Sequence, residues 1–300
     1  MQKLAHRIIV LGPLRSGTSL TAELVHLWGA HAGRKDELWQ SDPNDQRGYG
    51  YMEYIPLQQL NDDLLNGNDR VPPPIELMAE KASNPKYKDQ ALHLLHVMDE
   101  KAAKNGASAW VWKDARLPLT LPFWMNFWGD AVFIITVRHP AETILSAAKT
   151  EGFEEENLPF SAGLIYWQYC MLNILSFAQS SRRKIFISYD QLTSNPRQEC
   201  TRLSRFLDEQ CERPQEDAQQ RLETMLSQIS ENQRHYRYEK SLAEMGSATR
   251  EQRALYDFLR VKTLYPDEAF NKDDFSLYPG WREYLQTMDM LLSLTGTQEA

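Results

Sequence analysis

Short unbroken apolar runs alternate along this chain with stretches of helical spacing. The first run is Ile8-Ile9-Val10-Leu11, rich in β-branched residues and stopped by Gly12-Pro13. A run this short, without polar alternation, reads as a strand buried on both faces. Helical spacing follows, with Leu20, Leu24 and Leu27 on one face, and ends near Gly29. Trp110-Val111-Trp112, Val132 to Val137 and Ile185 to Ser188 repeat the pattern, and helical sequence follows each. Strand, turn and helix in repeated order predict an α/β fold: a central parallel sheet flanked by helices, with right-handed crossovers. Pro140 suits the first position of a helix, where its missing N–H costs nothing. Ser194-Asn195-Pro196 marks another helix start, with Leu203, Phe206 and Leu207 on its buried face.

Between the first helix and Trp110 the pattern loosens. Asp42 to Gly50 is rich in turn formers, and Val71-Pro72-Pro73-Pro74 is stiff and non-helical. This region is either a wall over a site or a plain surface excursion. Pro159 to Ala178 is apolar-rich and about long enough to cross a bilayer. Gln168 and Asn173 interrupt it, and a lone span there would part the last strand from the earlier ones, so a buried core helix is expected. Beyond about Lys240 the sequence reads as helices and loops. With no repeats and no linker, residues 1–300 are expected to form a single domain, with a helical portion at 240–300.

Composition narrows the partners. Apolar residues make up 42%, enough for a substantial core, and the formal net charge is -8. An acidic surface repels nucleic acid, heparin-like polymers and anionic membranes unless a local basic cleft overrides it. A compact partner is expected rather than a long polyanion, and one anionic ligand in a basic cleft remains compatible. Cys170, Cys200 and Cys211 lack metal-type spacing and read as free thiols in a reducing compartment, with no metal site. Met1 to Val10 carries no secretory pattern, so a cytoplasmic location is expected.

Two motifs carry chemistry. Gly12-Pro13-Leu14-Arg15-Ser16-Gly17-Thr18-Ser19 joins the first strand to the first helix. Backbone N–H groups in such a turn form an anion-binding nest, and the helix N-terminus reinforces it. Gly17 permits close backbone approach, Thr18 and Ser19 offer hydroxyls, and Arg15 and Ser16 complete the polar lining. The spacing matches the nucleotide loop G-x-x-x-x-G-K-[ST], except that Thr18 replaces the lysine that holds the β- and γ-phosphates. That change speaks against an ATP-dependent kinase and suits a shorter anion. The second motif is Arg138-His139-Pro140 with Ser146. An arginine at a strand end and a hydroxyl on the next helix can grip a phosphate together. In a parallel sheet both motifs would sit at strand C-terminal ends, one for each end of a nucleotide.

These residues resemble the PAPS-dependent sulfotransferase family (PAPS, 3′-phosphoadenosine 5′-phosphosulfate). Gly12 to Ser19 looks like its 5′-phosphosulfate loop, and Arg138 with Ser146 looks like its 3′-phosphate site. Ile187-Ser188-Tyr189-Asp190-Gln191-Leu192 with Asn195-Pro196 resembles its late strand and helix entry. Gly48-Tyr49-Gly50-Tyr51-Met52-Glu53 and Trp112-Lys113-Asp114-Ala115-Arg116 are similar to segments of its bacterial and Golgi-type branches. The similarity spans about Ile8 to Leu207. It implies a P-loop nucleotide-kinase-like sulfotransferase fold and transfer of a sulfuryl group from PAPS to a hydroxyl or amine by in-line displacement. Adenosine 3′,5′-bisphosphate (PAP) would be the product. The acceptor would be a small molecule or a glycan- or lipid-type compound.

The same resemblance marks Glu53 as a candidate base, against a solvated glutamate at a helix start. His26, His31 and His139 are alternative bases, though His26 also reads as helix surface and His139 as solvent-facing. Lys113 is the candidate charge stabiliser, against a structural ion pair with Asp114 or another acid. Arg116 could touch donor or acceptor, or simply pack. Arg234, His235 and Arg237 read as a solvated helix face, and Glu154-Glu155-Glu156 as an acidic loop. Trp110, Trp112, Trp124, Trp128 and Trp167 read as core, though Trp124 could line a pocket, while Trp39 and Tyr49 fall on the acceptor side by position alone. Two rival functions stay open: a small-molecule P-loop kinase, and a non-catalytic adenine-nucleotide-binding protein on this fold.

Overall fold

The four apolar runs become four strands of one sheet. A computed structural model describes residues 5–39, 51–67, 73–150, 160–178, 181–213, 216–229, 242–244 and 246–264. The strands are β1 (His6–Leu11), β2 (Ala109–Lys113), β3 (Val132–Val137) and β4 (Lys184–Ser188). They lie in the order β2-β1-β3-β4, and every pairing is parallel. Ile8 to Leu11 and all six residues of β3 are buried. A parallel strand must be covered on both faces, which is why these runs show no polar alternation.

The helices supply that cover. α1 (Thr18–Trp28) stops at Gly29, whose backbone N–H returns to the His26 carbonyl. The loose region after it holds three helices: α2 (Ile55–Leu65), α3 (Ile75–Ser83) and α4 (Pro85–Lys104). Asn84 caps α4 by accepting from the Lys86 N–H, and Pro85 occupies the first helical position. α5 (Leu117–Trp124) follows β2, α6 (Pro140–Thr150) follows β3, and α7 (Phe160–Ala178) leads to β4. α8 (Tyr189–Ser194), α9 (Pro196–Gln210), α10 (Ala218–Ser227) and α11 (Arg250–Leu264) complete the described α-helices.

Trp110 and Trp112 stand two residues apart in β2 and so share one face of the strand. Trp110 donates its indole N–H to Asp99 of α4 at 2.7 Å. Trp112 packs edge-on against Trp124 and Trp128, with ring centroids 4.6 and 5.8 Å away. All five tryptophans expected in the core are buried there. Helix α7 packs against α5, α6 and α11, and its buried Asn173 donates to the Pro118 carbonyl at 3.0 Å. Among the described residues no helix is long and apolar enough to cross a membrane. The three cysteines are buried and unbridged, and burial pushes the Cys170 and Cys200 thiols up to about 12.

Strand order positions the site. The chain leaves β1 for one neighbour, β2, then crosses back to place β3 on the other side of β1. The gap between the carboxyl ends of β1 and β3 is therefore the topological switch point, where open α/β sheets bind ligands.

Candidate functional site

The turn from β1 to α1 fills one side of that gap. Gly17 caps α1 with φ 99°, a left-handed conformation that glycine adopts without penalty. A Cβ there would lie 2.3 Å from Cδ2 of Tyr189, so the ring packs directly on the bare backbone. Gly12 is equally confined: an added Cβ would meet Oγ1 of Thr136 at 2.1 Å and Oγ of Ser16 at 2.5 Å. Those two hydroxyls share a 2.9 Å hydrogen bond, which ties the turn to β3. Arg15 also takes a positive φ, 64°. The first N–H groups of α1, from Thr18 onward, have no acceptor within the helix, and the dipole there favours an anion.

Arg138 fills the other side. It is buried, and three neighbours fix its guanidinium. Its Nε donates to Glu142 at 3.1 Å, and its Nη1 donates to the Arg15 carbonyl at 3.0 Å. The Tyr189 ring lies 4.4 Å beneath it. Its Nη2 makes no hydrogen bond among the described residues. Nε of Arg15 donates to Oγ of Ser146 at 3.1 Å. The turn after β1 and the Arg138–Ser146 pair are thus in direct contact.

A second cluster lies at the carboxyl end of β2, the strand on the other side of β1. Lys113 and Glu53 are both buried, and Nζ donates to Oε1 at 2.6 Å. The Ala115 N–H also donates to Oε1, at 3.2 Å. Oε2 of Glu53 accepts no hydrogen bond among the described residues; Nη1 of Arg116 lies 3.7 Å from it. Arg116 also meets Oδ1 of Asp114 at 3.2 Å and Oδ1 of Asp62 at 2.5 Å. Burial works against the Arg116 charge, but Asp114, Asp62 and Glu53 outweigh it and hold the guanidinium above its ordinary value. Burial, and after it the Glu53 charge, pushes the Asp114 carboxyl up to about 6. Met52, just before Glu53, sits at φ 58°, a strained value for a non-glycine residue.

Several expectations change. Glu53 is not a solvated glutamate, because only 5% of it is exposed. Of the acids open to Lys113, Asp114 or another, it is Glu53 that pairs with it. His139 does not face solvent: it is buried, accepts at Nδ1 from the Ala141 N–H at 3.2 Å and packs edge-on against Tyr256. His26 joins the turn after α1 through its Nδ1 and the Ala30 carbonyl, 2.8 Å apart. Gly48, Tyr49, Gly50, Val71, Pro72, the Glu154–Glu156 loop, Arg234, His235 and Arg237 lie outside the described residues. Sequence reasoning missed Thr136, Glu142, Tyr189 and Asn61 as residues that shape the cluster. Glu142 was within reach, because it stands one helical turn after Arg138. Thr136 is the one polar residue of β3.

The fold is an open parallel α/β sheet flanked by helices, with its switch point between β1 and β3. The chain belongs to the sulfotransferase family, whose family model matches residues 7–214, and by that membership it is a transferase. Among solved structures it is similar to the sulfotransferase domain of the olefin synthase of Synechococcus PCC 7002, at 18% identity and a TM-score of 0.41, with 95% of each chain covered. It is also similar to the sulfotransferase domain of the curacin biosynthetic pathway, at 18% identity and a TM-score of 0.37, covering 97% of this chain and 99% of that one. The assignment rests on the family match and not on these distant likenesses. No curated protein sequence matches the chain at a significant level.

Proposed function

We propose that the chain is a single-domain, PAPS-dependent sulfotransferase that transfers a sulfuryl group to a hydroxyl or amine of a compact acceptor. One observation carries this reading: the 3.1 Å contact of Arg15 with Ser146 and the 3.0 Å contact of Arg138 with the Arg15 carbonyl make the two anion motifs one cleft. A nucleotide charged at both ends requires that arrangement. The donor set fits PAPS. Arg15, Ser16, Gly17, Thr18 and Ser19 supply N–H groups, hydroxyls and a cation for the 5′-phosphosulfate. Arg138 and Ser146 supply a guanidinium and a hydroxyl for the 3′-phosphate.

Glu53 and Lys113 serve the transfer. Lys113 and the Ala115 N–H anchor Oε1, which leaves Oε2 to take the acceptor proton as general base. The acceptor oxygen or nitrogen bonds to sulfur, the S–O bond to the phosphate breaks, and PAP leaves with that electron pair. Once Glu53 carries the proton, the Lys113 charge is left to offset the leaving group. Trp39 lies on the acceptor side: its N–H donates to the Glu53 carbonyl at 2.8 Å, and its side chain is exposed.

The test has two parts. PAP at about 100 times its Kd should stabilise the fold by about 2.7 kcal/mol. At roughly 2–4 °C per kcal/mol that raises Tm by several degrees. Stabilisation by ATP and not by PAP would refute the donor assignment. Labelled PAPS presented to a panel of small hydroxyl and amine compounds should then yield a sulfated product, and binding without transfer to any of them would refute the enzymatic reading.

A further inference from the structure

Glu53 is not held by Lys113 alone. Asn61 of α2 accepts at Oδ1 from the Trp124 indole N–H at 2.7 Å and from the Thr120 hydroxyl at 3.0 Å. Two donors on one oxygen fix which way the amide points. Its Nδ2 must face Asp114, and it donates to Oδ2 at 2.7 Å. The other oxygen of Asp114 accepts from the Arg116 N–H at 2.8 Å and from Nη1 at 3.2 Å. Asn61, Thr120, Trp124 and Asp114 are all buried, so each link is costly to break. Asp62 closes the array from α2 through the ion pair at Nε of Arg116.

We propose that Arg116 is a positioning residue for sulfuryl transfer, a guanidinium held beside Oε2 of Glu53 by the Trp124–Asn61–Asp114 relay and by Asp62. At 3.7 Å the Nη1 atom is too far to occupy an Oε2 lone pair with a good hydrogen bond, yet close enough to stabilise its charge. The guanidinium therefore sets a positive charge beside Glu53 while the atom that takes the proton stays available. The forked shape of arginine matters, because one cation here faces three carboxylates from different segments. The inference rests on Glu53 being the base.

The experiment uses the full chain and PAPS turnover with water as acceptor, which releases sulfate and PAP and needs no identified acceptor. Arg116→Gln should lower kcat by at least tenfold while the KM for PAPS and the Kd for PAP stay within twofold, and Arg116→Lys should recover part of the loss. Asp62→Asn is the milder probe, since Asp62 is partly exposed and the change is isosteric; it should lower kcat severalfold with the same split. Loss of PAP affinity with kcat retained would show a purely architectural role and overturn the proposal. So would wild-type kcat in Asp62→Asn or Arg116→Gln while Glu53→Gln is inactive. Wild-type turnover in Glu53→Gln would instead remove the base assignment beneath it.

Discussion

Replacing Lys113 with methionine isolates the energy of the buried pair at the end of β2. The side chains of Lys113 and Glu53 are 4% and 6% exposed, and their charges meet at 2.6 Å. Methionine keeps most of the lysine volume, so little cavity is created and the change is chiefly electrostatic. Removing one partner of a buried ion pair costs about 3–5 kcal/mol, because the other charge is left uncompensated. Glu53 would keep the Ala115 N–H at 3.2 Å and Arg116 at 3.7 Å, which places the expected loss near the lower end, about 3 kcal/mol. At roughly 2–4 °C per kcal/mol, Tm should fall by about 6–12 °C. Lys113→Met/Glu53→Gln removes both charges and should recover at least half of that loss, although neither variant should transfer a sulfuryl group. Urea unfolding of the wild type, both single variants and the double variant supplies the measurement. A loss below about 1 kcal/mol in Lys113→Met, or a double variant no more stable than it, would show that the buried pair contributes little coupling energy and refute this reasoning.

Arg138→Gln should weaken PAP binding by roughly 10- to 100-fold by calorimetry, since hydrogen bonds to charged groups contribute about 1.5–3 kcal/mol; an unchanged Kd would take Arg138 out of the site. Gly17→Ala should weaken PAP binding at least tenfold because its Cβ would strike Tyr189, whereas Gly106→Ala, at φ 69° with open space around it, should lose stability alone. Equal PAP affinity in the two variants would dissociate the Tyr189 contact from the site. Stability should also depend on pH through Asp114. Its folded value of about 6 lies above its ordinary 3.8, so between those values the folded chain binds more protons than the unfolded one. The Asp114 contribution is therefore fully present below about pH 4 and is lost as pH rises through about 6. The wild-type denaturation midpoint should fall more steeply across that window than that of Asp114→Asn, and parallel curves would contradict the reading.

The sheet was legible because β1 and β3 are buried on both faces and carry continuous apolar runs. The loop after β1 was legible because its chemistry is local: glycines, hydroxyls and an arginine within eight residues. Helices α2 to α4 were less so. Their exposed faces are highly charged, and Pro72-Pro73-Pro74 and Asn84-Pro85 interrupt the periodicity that would reveal them. The partners at the site were hidden for a different reason. Lys113 finds Glu53 from 60 residues away, and Arg15 finds Ser146 from 131. Apolar neighbours could not decide whether Glu53 was buried or solvated, because burial there depends on β2 and on Arg116. Tyr189 was visible only as part of a late strand motif; its place between Gly17 and Arg138 comes from β4 lying beside β3.

Strand order also gives the proposed transfer a direction. β1 is flanked by β3 on one side and β2 on the other, and neighbouring strands lie about 4.8 Å apart. Arg138 follows β3, and the anion loop follows β1, so a nucleotide gripped by both spans the β1–β3 gap. Lys113 is in register with Val10, two residues before Gly12, and therefore stands one strand spacing from the loop on the opposite side. With the 3′ end at Arg138 and the 5′ end at the loop, the sulfuryl group points away from β3 and toward β2. Glu53 and Lys113 occupy that end, and the exposed Trp39 is bonded to the Glu53 backbone there. The acceptor must then approach over β2. A bound nucleotide with its 3′-phosphate at Lys113 would reverse the polarity and remove the base from the reacting sulfur.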